Sequence, residues 1–158
     1  MFYRIKENSL YDYADYKYLD DCLETNIITA SELTQHPNKV IVVNGVLALN
    51  PNYEEEEAEK ERERIANLTR TRAEVWRALI LARMFTKAMV KEIIEALPEE
   101  TEEEKKAKEI ARIDVDDVED FHRGHALVNL VGEYLAISSE NLDLYFETGD
   151  YHYLEELE

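Results

Sequence analysis

Helix-start signals constrain the second half of this chain more than any other feature of its sequence. The segments Thr71–Glu74 and Thr101–Glu104 both match the capping box, in which two side chains satisfy free backbone N–H groups of the first helical turn. Thr86 can cap a helix between them. The spacing therefore predicts helices that begin at these threonines. The last of them either continues or restarts through Asp117–His122 and stops at Gly124, a residue type that commonly ends helices.

The stretch Phe121–Glu147 predicts two further helices joined by a tight turn. Ser138 or Ser139 can cap the second of them. The first helix has apolar residues at helical spacing, namely Leu127, Leu130, Val131, Tyr134 and Leu135. The pattern is also that of a helix-turn-helix, but from Ile113 to the C-terminus there are 13 acidic residues and one basic residue, Arg123. Because cations supply much of the affinity for DNA, we expect no direct binding of nucleic acid.

Residues 1–50 predict a small α+β unit. Leu10–Glu24 has apolar and tyrosine residues at helical spacing, which predicts a tyrosine-rich helix. Two β-prone runs flank Asn44-Gly45, the strongest local signal for a β-hairpin. Residues 51–67 predict a charged helical connector, with a disordered acidic linker as the alternative. The predicted fold class is mainly α: a five- to six-helix bundle over residues 68–158, with the hairpin-containing unit before it.

The net charge of −18 limits the partners of this chain. Such a field favours basic protein surfaces and disfavours nucleic acid and anionic membrane. The chain has no apolar run long enough to span a membrane and a single cysteine, Cys22, so we expect an intracellular protein. Between residues 70 and 91 the sequence is basic, with Glu74 as the one acid, which predicts a polarised molecule. The cations of this basic island are Arg70, Arg72, Arg77, Arg83, Lys87 and Lys91.

Catalytic signals are weak throughout the sequence. His122 and His125 stand near several acids, but Gly124 lies between them, so helical spacing does not fix their geometry. Phosphate-binding glycine loops and nucleophile motifs are absent from the sequence. We therefore predict no enzyme, no catalytic residues, no cofactor and no metal. A metal-dependent enzyme that uses the two histidines is the weakest alternative.

The chain resembles a family of small uncharacterised acidic proteins of tailed bacteriophages and prophages. The resemblance lies in the segment Phe121–Leu127, the stretch Gly132–Ser138 and the pair Leu142 and Phe146. Genes of that family tend to lie near phage tail genes. The tyrosine-rich segment and the Asn-Gly hairpin look like leaders found on some members. The chain departs from the family pattern at the turn, and the departures are His122, His125 and Ala126. The resemblance implies a viral origin, a location in the cytoplasm of the bacterial host or on the virion, and a non-catalytic, protein-binding role.

Two functions follow as hypotheses. The first is a phage accessory or tail-associated protein that binds another protein. A homo-oligomer is a further possibility under this hypothesis. The expected acidic face consists of Glu54, Glu55, Glu56, Asp114, Asp116, Asp117, Asp120, Glu140 and Asp143. The expected interface aromatics are Tyr11, Tyr13, Tyr16 and Tyr18. The second is an inhibitor of host defence that mimics nucleic acid, as acidic anti-CRISPR proteins do, with carboxylate rows at Glu54–Glu63 and Asp114–Asp120.

Overall fold

The computed structural model describes residues 1–6, 9–14, 16 and 22–155. Seven α-helices and three small antiparallel sheets occur in this part of the chain, which confirms a mainly α protein with an α+β unit. The chain forms two compact units, Met1–Glu59 and Lys60–Glu158, called unit 1 and unit 2 below. The division falls inside α2 (Tyr53–Ala66). This helix covers most of the segment 51–67, the predicted charged helical connector. None of the helices in the described part is both long and apolar enough to cross a membrane.

The first sheet of unit 1 has the strand order β2-β1-β3. Its strands are β1 (Phe2–Lys6), β2 (Ser9–Ala14) and β3 (Leu23–Glu24). The predicted helix over Leu10–Glu24 is therefore wrong for the described residues. The remaining residues, 15 and 17–21, lie outside them.

A β-bulge explains why the tyrosine-rich segment imitates a helix. In β2, Leu10 pairs with Ile5 and Tyr13 pairs with Tyr3, so an extra residue stands between the two pairs. The bulge turns both Leu10 and Tyr13 toward the same apolar cluster. Core-facing residues three positions apart are the usual sign of a helix, and here a bulged strand produces them.

The Asn-Gly hairpin is confirmed. Strand β4 (Val40–Val43) pairs with β5 (Val46–Leu49), and the turn residues Asn44 and Gly45 have φ of 51° and 78°. Positive φ at both positions is what a type I′ turn requires. Helix α1 (Ala30–Gln35) and a 3₁₀ turn (Pro37–Lys39) precede the hairpin. The core of unit 1 consists of Tyr3, Ile28, Leu33, Val40 and Leu47.

Unit 2 is built from short helices whose predicted starts are confirmed. Thr71 and Thr101 both form complete capping boxes, while Thr86 and Ser138 each accept a hydrogen bond from the backbone of the first turn. The helices are α3 (Arg72–Arg83), α4 (Lys87–Ala96), α5 (Glu102–Asp117), α6 (Ala126–Tyr134) and α7 (Ser139–Thr148). A 3₁₀ turn, Tyr151–Leu154, follows and packs on the core through Leu154.

The predicted helix through His122 and its stop at Gly124 are wrong. Helix α5 ends at Asp117, and β7 (Asp120–His122) pairs with β6 (Thr69–Thr71), far away in sequence. Two acids close α5, where the helix dipole disfavours negative charge. The next residues alternate between exposed and buried, and Phe121 enters the core while its neighbours face outward. That period of two is typical of a strand.

Candidate functional site

The predicted acidic residues of unit 1 lie on the first turn of α2. Glu54, Glu55 and Glu56 are exposed, and the helix dipole favours carboxylates at this end of a helix. The amide of Asn50 donates a hydrogen bond to the carboxylate of Glu56 over 3.2 Å. The backbone N–H of Asn50 also donates to the carbonyl of Lys39 over 2.9 Å, just before β4. These bonds fix the acidic turn at the open end of the hairpin.

The acids at the end of α5 have different surroundings. Asp116 forms ion pairs with Lys87 at 2.6 Å and with Lys91 at 2.7 Å. Hydrogen bonds from these two lysines lower the pKa of Asp116 to about 2. Asp114 lies 3.4 Å from Nε2 of His125. Asp117 and Asp120 are exposed. Of the predicted acidic face, Asp116 is therefore already neutralised by its own chain.

The titration of Asp116 tests this assignment. We expect its carboxyl group to titrate near pH 2, and Lys87→Gln combined with Lys91→Gln to return its pKa toward the ordinary 3.8. Because the folded-state pKa is lowered, the two ion pairs stabilise the fold above the ordinary pKa and lose this effect as the pH falls through about 2. Carboxyl NMR measures the midpoint. A midpoint that the double substitution leaves unchanged would contradict the ion pairs.

The two predicted acids of α7 also differ. Glu140 is exposed in the first turn of the helix. Asp143 accepts a 2.6 Å hydrogen bond from Nε of Arg123, which is only 8% exposed. The same guanidinium donates to Asn129 Oδ1 at 2.7 Å and to Ser139 Oγ at 2.8 Å. Asp143 is therefore part of a partly buried network that joins Arg123 to α6 and α7, and it is the least suitable of the predicted residues for a partner.

The basic island contacts its own chain. Nε of Arg70 donates to the carbonyl of Phe146 over 3.1 Å, and Nε of Arg83 donates to the carbonyl of Leu154 over 2.7 Å. Arg72 donates to the carbonyl of Asp116. These carbonyls lie at or near the ends of α5, α7 and the final 3₁₀ turn, where backbone acceptors lack helical partners. The cations therefore complete the fold.

The histidine pair takes a structural role. Nδ1 of His125 accepts a hydrogen bond from the backbone N–H of Leu127 and caps α6. Burial lowers the pKa of His125, although the charge of Asp114 raises it in part. The rings of His122 and His125 are 5.3 Å apart. Within the described residues, no three His, Cys, Asp or Glu side chains come together as a metal-binding group.

A small cleft of unit 2 combines basic and aromatic side chains. Its volume is about 240 Å³, and Arg70, Glu74 and Arg77 line it together with Tyr145. Burial raises the pKa of Tyr145 to about 12, and its hydroxyl has no hydrogen-bond partner among the described residues. The carboxylate of Glu74 accepts hydrogen bonds from the backbone N–H and the hydroxyl of Thr71. Glu74 is therefore part of the capping box at the start of α3.

The predicted interface aromatics are only partly on the surface. Tyr11 is exposed on β2, and the cationic groups of Arg4 and Lys6 lie 5.7 and 5.8 Å from its ring centre. The hydroxyl of Tyr13 is 3.1 Å from that of Thr34. Tyr16 is exposed, and Tyr18 lies outside the described residues.

The feature that our sequence interpretation missed is the outer face of the hairpin. Ile41, Val43 and Val46 are 40%, 42% and 50% exposed. Both strands are continuously apolar, which is typical of strands buried on both faces. Polar and apolar residues do not alternate along β4 and β5, and this pattern in the sequence could have indicated a hairpin that is apolar on both faces.

Comparisons of the chain with protein-family models, with curated proteins and with solved structures found no match. The structure itself offers two kinds of surface for function. One consists of exposed carboxylates, and the other is the apolar outer face of the hairpin.

Proposed function

We propose that this chain is a non-catalytic protein that acts by binding another protein with a basic surface, as a phage accessory or tail-associated protein. One observation carries the proposal. Five cations of the basic island contact carbonyls or a carboxylate of their own chain, namely Arg70, Arg72, Arg83, Lys87 and Lys91. By contrast, the side chains of Glu54, Glu55, Asp117, Asp120 and Glu140 are exposed.

Charge organisation of this kind favours encounter with a positive partner. With 36 acidic and 18 basic residues, the chain has a strong negative field at neutral pH. Complementary potentials raise association rates and exclude partners of like charge. The internal use of the cations leaves the exposed carboxylates to define the outer field.

Charge neutralisation in a binding experiment tests the proposal. The tagged chain is used to recover proteins from phage-infected bacteria at increasing salt concentrations. We expect a partner with a basic surface whose retention falls with salt, and falls further when Glu54, Glu55 and Glu56 become Gln or when Asp117 and Asp120 become Asn. The matched control replaces exposed acids elsewhere, Glu92, Glu103 and Glu133, by Gln.

The proposal fails if the wild-type chain retains nothing beyond the untagged background. It also fails if the partner is bound equally well by the neutralised variants and at all salt concentrations. A metal- or cofactor-dependent activity of the purified chain would replace it with the enzyme alternative.

A second candidate is mimicry of nucleic acid, and the surface of α2 favours it. This helix has no buried residue, and its exposed glutamates include Glu54, Glu55, Glu56, Glu59 and Glu63. A row of charges on a helix can occupy a groove built for phosphates. The distinguishing experiment is competition: a mimic releases DNA or RNA from the captured partner, and Glu54→Gln with Glu55→Gln and Glu56→Gln abolishes the release. Simultaneous binding of partner and nucleic acid would contradict it.

A further inference from the structure

The hairpin is a charge-free segment in a highly charged chain. From Val40 to Asn50 no residue is ionisable, whereas 34% of the whole chain is Asp, Glu, Lys or Arg. Both faces of its two strands are apolar. One face contributes Val40 and Leu47 to the core of unit 1, where each is 8% exposed.

The opposite face is apolar and faces solvent. The register pairs Ile41 with Ala48 and Val43 with Val46, so these four side chains stand together on one side of the sheet. Isolated exposed apolar residues are ordinary on protein surfaces, whereas large contiguous apolar patches mark interaction sites. The Asn-Gly turn and the strand pairing set the register of these side chains.

One backbone donor at an edge of the hairpin is used within unit 1. The backbone N–H of Leu47 donates to the hydroxyl of Tyr3 over 3.3 Å, which ties β5 to the first sheet. Among the described residues, the sheet formed by β4 and β5 has only these two strands. A two-stranded sheet needs further packing to be stable in water. The core face supplies part of that packing, and the outer face remains for a partner.

Acids lie at the open end of the hairpin. Asn50 joins the open end of the hairpin to Glu56, as described above, so Glu54, Glu55 and Glu56 lie at that end. The nearest cation in the chain, Lys39, forms an ion pair with Glu32. The hairpin therefore has an apolar outer face and a group of acids at its open end.

We infer that the outer face of β4 and β5 is a docking site for a partner protein that presents an apolar segment flanked by lysine or arginine. This inference rests on the proposed function and names its surface. Charge complementarity selects this occupant. The acids at the open end of the hairpin attract basic flanks, whereas a second copy would bring two chains of net charge −18 together.

Titration with synthetic peptides tests the inference on the full chain. The probe alternates valine and threonine between terminal lysines, one control peptide carries glutamates in place of the lysines, and another carries serines in place of the valines. We expect the lysine-flanked apolar peptide alone to shift the backbone amide signals of β4, β5 and Glu54–Glu56 in NMR spectra.

Substitutions on the surface provide the second arm. Ile41→Thr, Val43→Thr and Val46→Thr together retain β-branched side chains and remove the apolar face. This triple variant should keep the dispersed amide spectrum and bind the probe at least about tenfold more weakly. Replacing Glu54, Glu55 and Glu56 by Gln should weaken binding a few-fold and reduce its salt dependence. The matched control removes exposed apolar side chains of α5, by Ile110→Gln and Ile113→Gln, and should change nothing.

Three results would overturn the inference. The first is hairpin binding that is equal for the glutamate-flanked peptide or unchanged in the threonine variant. The second is a dimer in light scattering that the threonine variant dissociates, which would assign the face to a second copy. The third is probe binding at Asp117, Asp120 and Glu140 with unchanged hairpin signals. That last result would leave the proposed function in place, whereas failure of the chain to bind any basic probe or partner would remove both.

Discussion

Replacing Arg123 by methionine is expected to lower the free energy of unfolding of unit 2 by about 3–5 kcal/mol, the usual cost of breaking a buried ion pair. The guanidinium is buried and donates to Asp143, Asn129 and the backbone and hydroxyl of Ser139. Methionine fills similar space but donates no hydrogen bond. The acceptors of α6 and α7 would then lose their shared donor. Because the Asp143 side chain is 31% exposed, water can solvate it in part, which favours the lower end of that range.

Urea unfolding followed by the fluorescence of Trp76, the only tryptophan, measures this loss in unit 2. Arg123→Lys keeps the charge without the planar fork and should recover only part of the stability. Adding Asp143→Leu to the methionine variant removes the orphaned carboxylate, so the double variant should be more stable than the sum of the single changes predicts. Strict additivity, or a loss below about 1 kcal/mol for the methionine variant, would show that the network contributes little.

Local signals in the sequence predicted local structure well. Thr71, Thr101 and Ser138 cap helices because their side chains reach backbone N–H groups only a few residues away. The Asn44-Gly45 turn depends on backbone preferences of two adjacent residues. In each case the residues that decide the structure are neighbours in the sequence.

Structure that depends on distant residues could not be predicted in this way. Strand β7 exists because Phe121 pairs with Arg70, on a segment that precedes three helices. The bulge in β2 is defined against β1, and without that partner the spacing of Leu10 and Tyr13 favours a helix. Arg123 counted in the sequence only as an isolated charge, whereas its role depends on residues of two later helices.

The candidate surfaces show the same division. In sequence, the acids at Asp114–Asp120 are equivalent members of one row. In the structure, Lys87 and Lys91 engage Asp116, while Asp117 and Asp120 remain exposed. Composition therefore predicts the sign of the outer field but not which carboxylates produce it. The remaining exposed acids and the apolar hairpin face are the features that a partner can contact.

Phe121→Ala is the other substitution with a large expected effect. Phe121 is 1% exposed, and its ring makes edge contacts with Trp76 at 5.8 Å and His125 at 5.3 Å between ring centres. Removing a buried phenylalanine side chain typically costs about 3–5 kcal/mol, because the lost apolar transfer adds to the cost of the cavity. The same urea experiment should show this loss. It should also show a changed emission of Trp76 in the folded state, because the indole loses a neighbouring ring.

His122→Ala is the matched control, because it alters the adjacent position of the same strand on its exposed face. Surface changes of this kind usually stay within about 0.5 kcal/mol. Phe121→Leu keeps most of the volume and should cost less than about 1.5 kcal/mol. Costly positions at 121 and 123 with a neutral position between them fit the two-residue period of a strand, because residues two apart lie on nearly opposite faces of a helix. Equal losses at Phe121 and His122 would therefore contradict the pairing of β6 with β7, on which the placement of Arg123 depends.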